Sequence, residues 1–492
     1  MYISDLESQG LRSDKVQEFL KTLEDNRLTT HDMIIARNGE IVFEKYWEPF
    51  DEKFLHRMYS VTKSFVALAV GCLLQDGLVK LDDPISRYFP KECANQTDPN
   101  MLNQTIRHML MMSTGKWPRS WFAHRTDDRV QFYFDNPAGQ SRPSGTLFQY
   151  DSEGSFILGA LVERLTGENM LDYLRRKALD KIGFSKEPYI LKCPGGHSWA
   201  DSGLLCTPRD LLKVAQLTMN YGSWNGEQLM DEEYLRTATS YLIATRQDDD
   251  ESPDAQGYGY YIWRNYHDSF FFNGMGGQFA LCVPSKQLIF IYNGDNQGRL
   301  HATKVIFDSF FKLVYETAAD APLPANTEAK AALDAYAKDL KLAVAVGETE
   351  SPWQEKLNGI TYTMDENPMG ITKFTLHFEG KKGVFAYTNA QGDKELAFGL
   401  GYNEFGPFPQ DGYSDIVGSK PSDIHYHTAV SAVWQDPHKL YLKVQVIDKY
   451  FGVLHITLSF REDGLAGVYM VKTAEDFFEE YQGFGCGHRI EE

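Results

Sequence analysis

A helix with no polar face constrains the fold of this chain more than any other feature. The segment Ser60–Gln75 is apolar at almost every position after Lys63 and Ser64, and Asp76-Gly77 ends it. A helix that is apolar all round must be buried on nearly all sides. The chain therefore has to fold around this helix, and the lysine in its first turn has no obvious route to solvent.

Strand patterns lie on both sides of this helix. Before it, Met33–Ala36 and Ile41–Tyr46 flank Asn38-Gly39, a strong type I′ turn signal. After it come helices and then strands: helices Thr105–Met112, Ser155–Thr166, Met170–Ala178 and Pro208–Asn220, strands Tyr258–Trp263, Phe270–Phe272, Gln278–Val283 and Leu288–Asn293, and a closing helix Ala302–Thr317. This order predicts an α/β (α+β) domain, in which one antiparallel sheet has helices on its faces and a helical insertion.

A composition shift marks a domain boundary. At 492 residues the chain exceeds the usual size of a single hydrophobic core. Residues 318–325 are rich in Ala and Pro, and an Ala/Lys-rich helix follows. We therefore divide the chain into a first domain (1–320), a linker helix (321–346) and a C-terminal domain (347–492).

The C-terminal domain has the pattern of a barrel. Short strands follow one another at turn-separated intervals: Thr361–Met364, Thr372–Phe378, Gly383–Thr388, Leu396–Leu400, Ala429–Trp434, Leu440–Val446, Val453–Ser459 and Leu465–Tyr469. This spacing predicts a closed, lipocalin-like antiparallel β-barrel. Such a barrel can hold a small ligand or fill itself with side chains, so ligand storage, access control and contact between copies of the chain all stay open.

Composition excludes several classes of partner. The 49 basic and 68 acidic residues give a net charge of −19, which repels nucleic acid and anionic lipid. No segment approaches the roughly 20 apolar residues that span a bilayer, and no secretory leader pattern is visible. The six cysteines are scattered without CxxC pairing, which is typical of reduced thiols rather than disulfides or zinc sites. We expect a cytoplasmic protein without cofactor, metal, membrane or nucleic-acid partner.

Ser60 and Lys63 form the first candidate pair. An i, i+3 spacing at a helix start places both side chains on one face. A serine hydroxyl is a weak nucleophile unless a neighbour takes its proton, and a lysine can do so when burial lowers its pKa. The alternative is an N-cap serine beside a snorkelling lysine. The apolar surroundings of the helix favour the reactive pair.

Tyr150 is the third candidate, on a loop that leads into a helix start. A phenol close to a cationic lysine ionises more easily and can shuttle the serine proton. The alternative is a tyrosine that only packs, which is the commoner role for any one of 27 tyrosines.

Four segments in order resemble the serine β-lactamase and penicillin-binding-protein superfamily. They are Tyr59–Phe65, Thr105–Leu110 with Ser113-Thr114-Gly115, Gly145–Ser152 through Gly167, and Asp201–Leu204 with Thr207–Leu211. The resemblance implies that superfamily's fold and an acyl-enzyme route, with Ser60 as nucleophile, Lys63 as its partner and Tyr150 as acid/base. The tyrosine-containing box is similar to that of class C β-lactamases, D-aminopeptidases and β-lactamase-like carboxylesterases.

Two positions depart from the family pattern. Ser152 stands where the family usually has Asn, and the Lys-Thr-Gly or His-x-Gly box has no plain counterpart. The best counterpart is Phe272-Asn273-Gly274, which leads into Met275-Gly276-Gly277-Gln278, and the candidate oxyanion residues within it are Asn273, Gly274, Met275 and Gly276. Its small residues would let backbone approach substrate and supply a second oxyanion N–H beside that of Ser60, though the donor is ambiguous among the four. The missing cation weakens capture of a carboxylate, which argues against an efficient β-lactamase.

The sequence thus favours a serine hydrolase that forms an acyl-enzyme on amide or ester bonds. Its substrates would be small molecules or short peptides, including peptides with D-residues. The alternatives are a β-lactamase, or a penicillin-binding sensor module that acylates without turnover.

Two other motifs match known functional patterns less well. Gly196–Ala200 mimics the G-x-S-x-G elbow but lacks the strand and helix that the elbow needs. His425 and His427 alternate on a predicted strand and could bind a metal, yet no third ligand is evident.

Overall fold

A computed structural model describes residues 3–118, 126–135, 141–245, 251–411, 425–473 and 478–490. It divides the chain into two compact units, the first ending at Lys341 and the second beginning at Leu342. Within the described ranges, no helix combines the length and the apolar character needed to cross a membrane.

The first unit is built on the predicted antiparallel sheet with helices around it. Its strands are β1 (Thr30–Arg37), β2 (Glu40–Tyr46), β3 (His56–Arg57), β4 (Tyr189–Ile190), β5 (Leu204–Cys206), β6 (Ser223–Trp224), β7 (Glu227–Gln228), β8 (Trp263–Arg264), β9 (Phe270–Gly274), β10 (Gln278–Val283) and β11 (Leu288–Gly294). Its helices are α1 (Ser13–Asp25), α2 (Val61–Gln75), α3 (Pro99–Leu102), α4 (Ile106–Leu110), α5 (Arg129–Phe134), α6 (Ser152–Thr166), α7 (Met170–Lys177), α8 (Pro208–Met219), α9 (Glu232–Ala238), α10 (Ala302–Phe310) and α11 (Thr327–Lys338).

The main sheet has the order β2-β1-β11-β10-β9-β8, with every pair antiparallel. Its first hairpin closes as the sequence predicts, because Asn38 and Gly39 both adopt positive φ, at 52° and 83°. The strand predicted at Tyr258–Trp263 is shorter than expected, because only its last residue belongs to a strand, the two-residue β8. Tyr261 has φ 52°, a left-handed conformation that an extended strand cannot contain.

The apolar helix α2 lies at the centre, as its composition requires. It packs against α6, α7 and β9, and its side chains from Val61 to Leu73 are buried. A second core lies between the sheet and α1, α10 and α11. Leu333 and Ala337 of α11 belong to this core together with Phe19 of α1, so α11 is part of the first unit.

The second unit is a closed β-barrel preceded by a short helix. The helix is α12 (Trp353–Leu357), and the strands are β12 (Thr361–Met364), β13 (Lys373–Glu379), β14 (Lys382–Asn389), β15 (Gly392–Leu400), β16 (Glu404–Pro407), β17 (His427–Asp436), β18 (Lys439–Ile447), β19 (Phe451–Phe460), β20 (Leu465–Thr473) and β21 (Gly483–Arg489). The order is β15-β14-β13-β12-β21-β20-β19-β18-β17, with β16 added beside β17.

The barrel closes through one parallel pair, which the sequence did not predict. Gly399 and Leu400 of β15 pair in parallel with Ser431 and Ala432 of β17. Nine strands form the closed ring. In a ring of alternating directions, an odd number of strands leaves the first and last pointing the same way, so the closing pair must be parallel.

Candidate active site

Ser60 lies where a short strand turns sharply into α2. The Met58 N–H donates to the Leu204 carbonyl oxygen (2.8 Å), which continues the β3–β5 pairing. Tyr59 then takes φ 45°, a conformation that costs free energy for a residue with a bulky side chain. This turn presents Ser60 as the N-cap of α2.

Buried aromatic packing holds this turn in place. The guanidinium of Arg57 lies 4.8 Å from the ring centroid of Tyr59 and 4.4 Å from that of Trp199. Its Nε also donates to the Ser202 carbonyl oxygen at 2.6 Å. The segment around residue 200 is therefore fixed against the Ser60 turn, although the two are distant in sequence.

A pair of buried histidines ties β3 to the main sheet. Nδ1 of His56 lies 3.0 Å from the Arg57 carbonyl oxygen, which can only accept, so this nitrogen carries the proton. Nε2 of His56 is then the acceptor for His31 Nδ1, 2.8 Å away on β1. Burial lowers the pKa of His56 to about 3, which keeps this neutral arrangement intact at physiological pH.

Lys63 is in direct contact with Ser60. Its side chain is only 1% exposed, and its Nζ donates to Ser60 Oγ at 2.8 Å and to the Asp201 carbonyl oxygen at 2.8 Å. A buried amine within hydrogen-bond distance of a serine hydroxyl is the geometry that proton transfer requires.

Tyr150 meets the same amine through the face of its ring. Lys63 Nζ lies 4.9 Å from the ring centroid, a cation–π distance. The Tyr150 ring also stacks on Trp263 of β8, with centroids 6.0 Å apart and planes at 23°. We expected the phenol oxygen to be the contact point, whereas here the lysine contacts the π face.

Local capping places Tyr150 beside the start of α6. Asp151 is the N-cap, and its buried carboxylate accepts from the Gly154 N–H (3.1 Å) and the Thr114 hydroxyl (2.9 Å). This cap thus joins two of the four family-like segments, the one that contains Thr114 and the one that contains Asp151. Ser152, the position that departs from the family pattern, is the first residue of α6 and is partly exposed.

The third candidate box also reaches the Ser60 turn. A Cβ at Gly274, which ends β9, would lie 2.3 Å from the Met58 carbonyl oxygen, so only glycine fits there. Asn273 precedes it on β9, and Met275, 37% exposed, follows in the turn to β10. Gly276 then takes φ 83°. Gly274 therefore lets the backbone at the end of β9 approach the turn before Ser60 closely, as the small size of glycine predicts.

Hydrogen bonds from Gln278 and Asn296 fix the turn between β9 and β10. Gln278 Nε2 donates to the carbonyl oxygens of Met275 (2.7 Å) and Gly294 (2.8 Å). The Asn296 N–H donates to the Gly276 carbonyl oxygen at 2.8 Å. The backbone beside Ser60 is therefore held in one conformation.

Asp201 is a residue of the candidate site that was not predicted from the sequence. It lies in one of the four family-like segments, but only the fold brings it to Lys63. Its side chain is fully buried, and burial raises the pKa of its carboxyl to about 7, against the smaller opposing effect of the Lys63 and Arg129 charges. A second titratable group thus borders the serine–lysine pair.

Replacing this carboxyl should change how stability depends on pH. Between about pH 4 and pH 7 the folded protein keeps the Asp201 proton while the unfolded chain has released it, so this group lowers stability as pH rises. We expect the free energy of unfolding of Asp201→Asn to rise, relative to that of the wild type, by up to about 4 kcal/mol across that range. Urea unfolding of both proteins at pH 4.5 and pH 7.5 measures this. A difference in unfolding free energy that stays constant with pH would contradict it.

The elbow-like segment Gly196–Ala200 and the histidine pair His425 and His427 do not have the geometry of reactive sites. Ser198, the elbow-like serine, is buried, and its hydroxyl accepts from Lys192 Nζ at 3.2 Å. His425 contacts the Phe408 carbonyl oxygen (2.9 Å) and Asp411 (2.8 Å). Within the described part of the chain, the cluster suited to a metal does not include either His425 or His427.

Comparison with known proteins identifies the family. The family profile described as Beta-lactamase matches residues 16–304. The chain belongs to this family. The resemblance carried by the four segments is thereby confirmed, together with the predicted fold class.

Two curated relatives of this chain carry names that describe hydrolases. The 6-aminohexanoate-dimer hydrolase of Paenarthrobacter ureafaciens is 22% identical over 221 residues, which make up 42% of this chain and 56% of that protein. Esterase EstB of Burkholderia gladioli is 32% identical over 188 residues, 33% of this chain and 47% of that one. Each match therefore spans about half of the relative's own length.

A solved structure shares the fold. It is a Bacillus anthracis protein proposed to be a 6-aminohexanoate-dimer hydrolase, with a TM-score of 0.52 and 18% identity. The match covers 63% of this chain and 85% of that chain. At this level of identity the likeness concerns the fold alone.

Proposed function

We propose that the protein is a serine hydrolase that cleaves amide or ester bonds of small substrates through an acyl-enzyme. The observation that carries the proposal is the 2.8 Å contact between Lys63 Nζ and Ser60 Oγ, made by a lysine that is 1% exposed. In its neutral form, a lysine amine at this distance can accept the hydroxyl proton.

The first half of the reaction forms the acyl-enzyme. Ser60 Oγ attacks the substrate carbonyl carbon while its proton passes to Lys63 Nζ. The carbonyl oxygen becomes an oxyanion, which the Ser60 N–H and a backbone N–H from Asn273, Gly274, Met275 or Gly276 stabilise. The C–N or C–O bond then breaks, and the leaving amine or alcohol takes a proton by way of Tyr150.

Water completes the cycle. It attacks the ester carbon while its proton passes to the Lys63–Tyr150 pair, and the Ser60–acyl bond breaks as Oγ regains a proton. The acid leaves, and the site returns to its starting state. The step between Ser60 and Lys63 therefore uses the Nζ–Oγ contact that the free enzyme already makes.

Linear amides and esters are the substrate class we favour. The names of two relatives are 6-aminohexanoate-dimer hydrolase and esterase. The run that begins at Phe272 has no Lys or His where the family usually carries a cation, which disfavours β-lactams and other substrates held by a carboxylate. Short peptides, including those with D-residues, remain within this class.

Activity-based labelling tests the proposal. A fluorophosphonate should add its phosphonyl group to the peptide that contains Ser60, as located by peptide mass spectrometry. A screen of p-nitrophenyl esters, L- and D-aminoacyl amides, 6-aminohexanoate dimer and benzylpenicillin should then show turnover of esters or amides above that of the penicillin. A label on another serine would refute the assignment. An acyl adduct from penicillin that persists for hours without product would favour the sensor alternative.

A further inference from the structure

Three side chains able to bind a metal converge on the barrel of the second unit, outside the proposed active site. They are Asp365, Cys486 and His488, whose ligand atoms all lie within 4.8 Å of one another. Nε2 of His488 is 3.1 Å from Asp365 Oδ2 and 4.0 Å from Cys486 Sγ. This cluster combines a thiol, an imidazole and a carboxylate.

The strand pairing itself brings these side chains together. Cys486 and His488 are two positions apart on β21, so they point to the same face. Asp365 follows β12 and lies opposite Cys486, since its N–H donates to the Cys486 carbonyl oxygen at 2.9 Å. The intervening Gly487 is buried, and a Cβ added there would point inward and lie 3.0 Å from Met364 Sδ. The three ligands therefore share the outer face.

Exposure separates Cys486 from the other thiols. The remaining five cysteines are buried, whereas Cys486 is exposed. The side chains of His488 and Asp365 are 52% and 62% exposed. An ion in bulk solvent can therefore reach all three ligand atoms without opening the barrel.

We propose that these residues form a zinc-class metal site. Thiolate and imidazole ligands select Zn²⁺ and similar transition metals over Mg²⁺ or Ca²⁺, which prefer oxygen. Bonds of about 2.3 Å to sulfur and about 2.0 Å to nitrogen and oxygen place neighbouring tetrahedral ligands about 3.3–3.5 Å apart. The observed separations approach these values, so small side-chain rotations complete the geometry.

The ion would cross-link two strands of the barrel. Three protein ligands leave a fourth position for water, since the described residues offer no further ligand there. The bound ion would join β12 to β21 through side chains.

Metal titration of the full-length, reduced and chelator-treated protein tests the site. One equivalent of Co²⁺ should give a thiolate-to-cobalt charge-transfer absorption, which Zn²⁺ then displaces. Zn²⁺ should also slow alkylation of Cys486 by iodoacetamide at least tenfold. Cys486→Ser should abolish the absorption, and His488→Gln should weaken Zn²⁺ binding at least tenfold, with circular dichroism confirming that both variants fold.

A matched surface pair provides the control. His438 Nδ1 lies 3.4 Å from Asp436 Oδ1, and the His438 side chain is 51% exposed, close to the value for His488. This ion pair consists of an imidazole and a carboxylate and does not include a thiol. His438→Gln should leave metal affinity unchanged. Equal affinity in the wild type, Cys486→Ser and His488→Gln, or the lack of a thiolate band, would overturn the proposal and indicate adventitious binding.

Discussion

Ser60→Ala should lower kcat for a p-nitrophenyl ester by about 10⁴-fold or more. The substitution removes the one atom that forms the acyl bond, and neither Lys63 nor Tyr150 can replace it. What remains would be the effect of the oxyanion donors on direct attack by water. Steady-state kinetics on the wild type and the variant measure the loss, and the fluorophosphonate label should disappear with it.

Ser198→Ala is the matched control for this experiment. Ser198 occupies the elbow-like motif, and its hydroxyl accepts a hydrogen bond from Lys192. We expect its kcat to stay within a few-fold of the wild type. If Ser198→Ala lost activity while Ser60→Ala kept it, the assignment of the nucleophile would be wrong.

Lys63→Met should lower kcat by about 10³-fold, within the range typical of losing a general base. Methionine fills the buried space but cannot accept a proton. Because the serine and lysine act as one unit, the Ser60→Ala/Lys63→Met double variant should be no slower than Ser60→Ala alone. Thermal unfolding should be recorded in parallel, since the Asp201 carbonyl oxygen loses its donor, at a cost of about 1–3 kcal/mol.

Lys63→Arg separates the role of the proton from that of the charge. A guanidinium keeps the positive charge but does not deprotonate in proteins. We therefore expect Lys63→Arg to be about as inactive as Lys63→Met. An arginine variant with near wild-type kcat would mean that Lys63 acts only as a fixed positive charge.

Much of the candidate site could be predicted from local pattern. The i, i+3 spacing of Ser60 and Lys63 on an apolar helix placed both groups on one face, and the structure gives their contact as 2.8 Å. The run around Gly274 was recognisable by its small residues. The ring-face contact of Tyr150 with Lys63 was not predictable, because it depends on where Trp263 and the α6 cap place the ring.

The sequence by itself determined most of the longer helices and strands, since hydrophobic periodicity and turn residues are local properties. It revealed the buried helix α2, the hairpin at Asn38-Gly39 and eight strands of the barrel. Only the tertiary structure decided the parallel closure of β15 on β17 and the contact between Lys63 and Asp201, 138 residues apart. Such pairings depend on strand count and on packing between distant segments, and no local period records either of these.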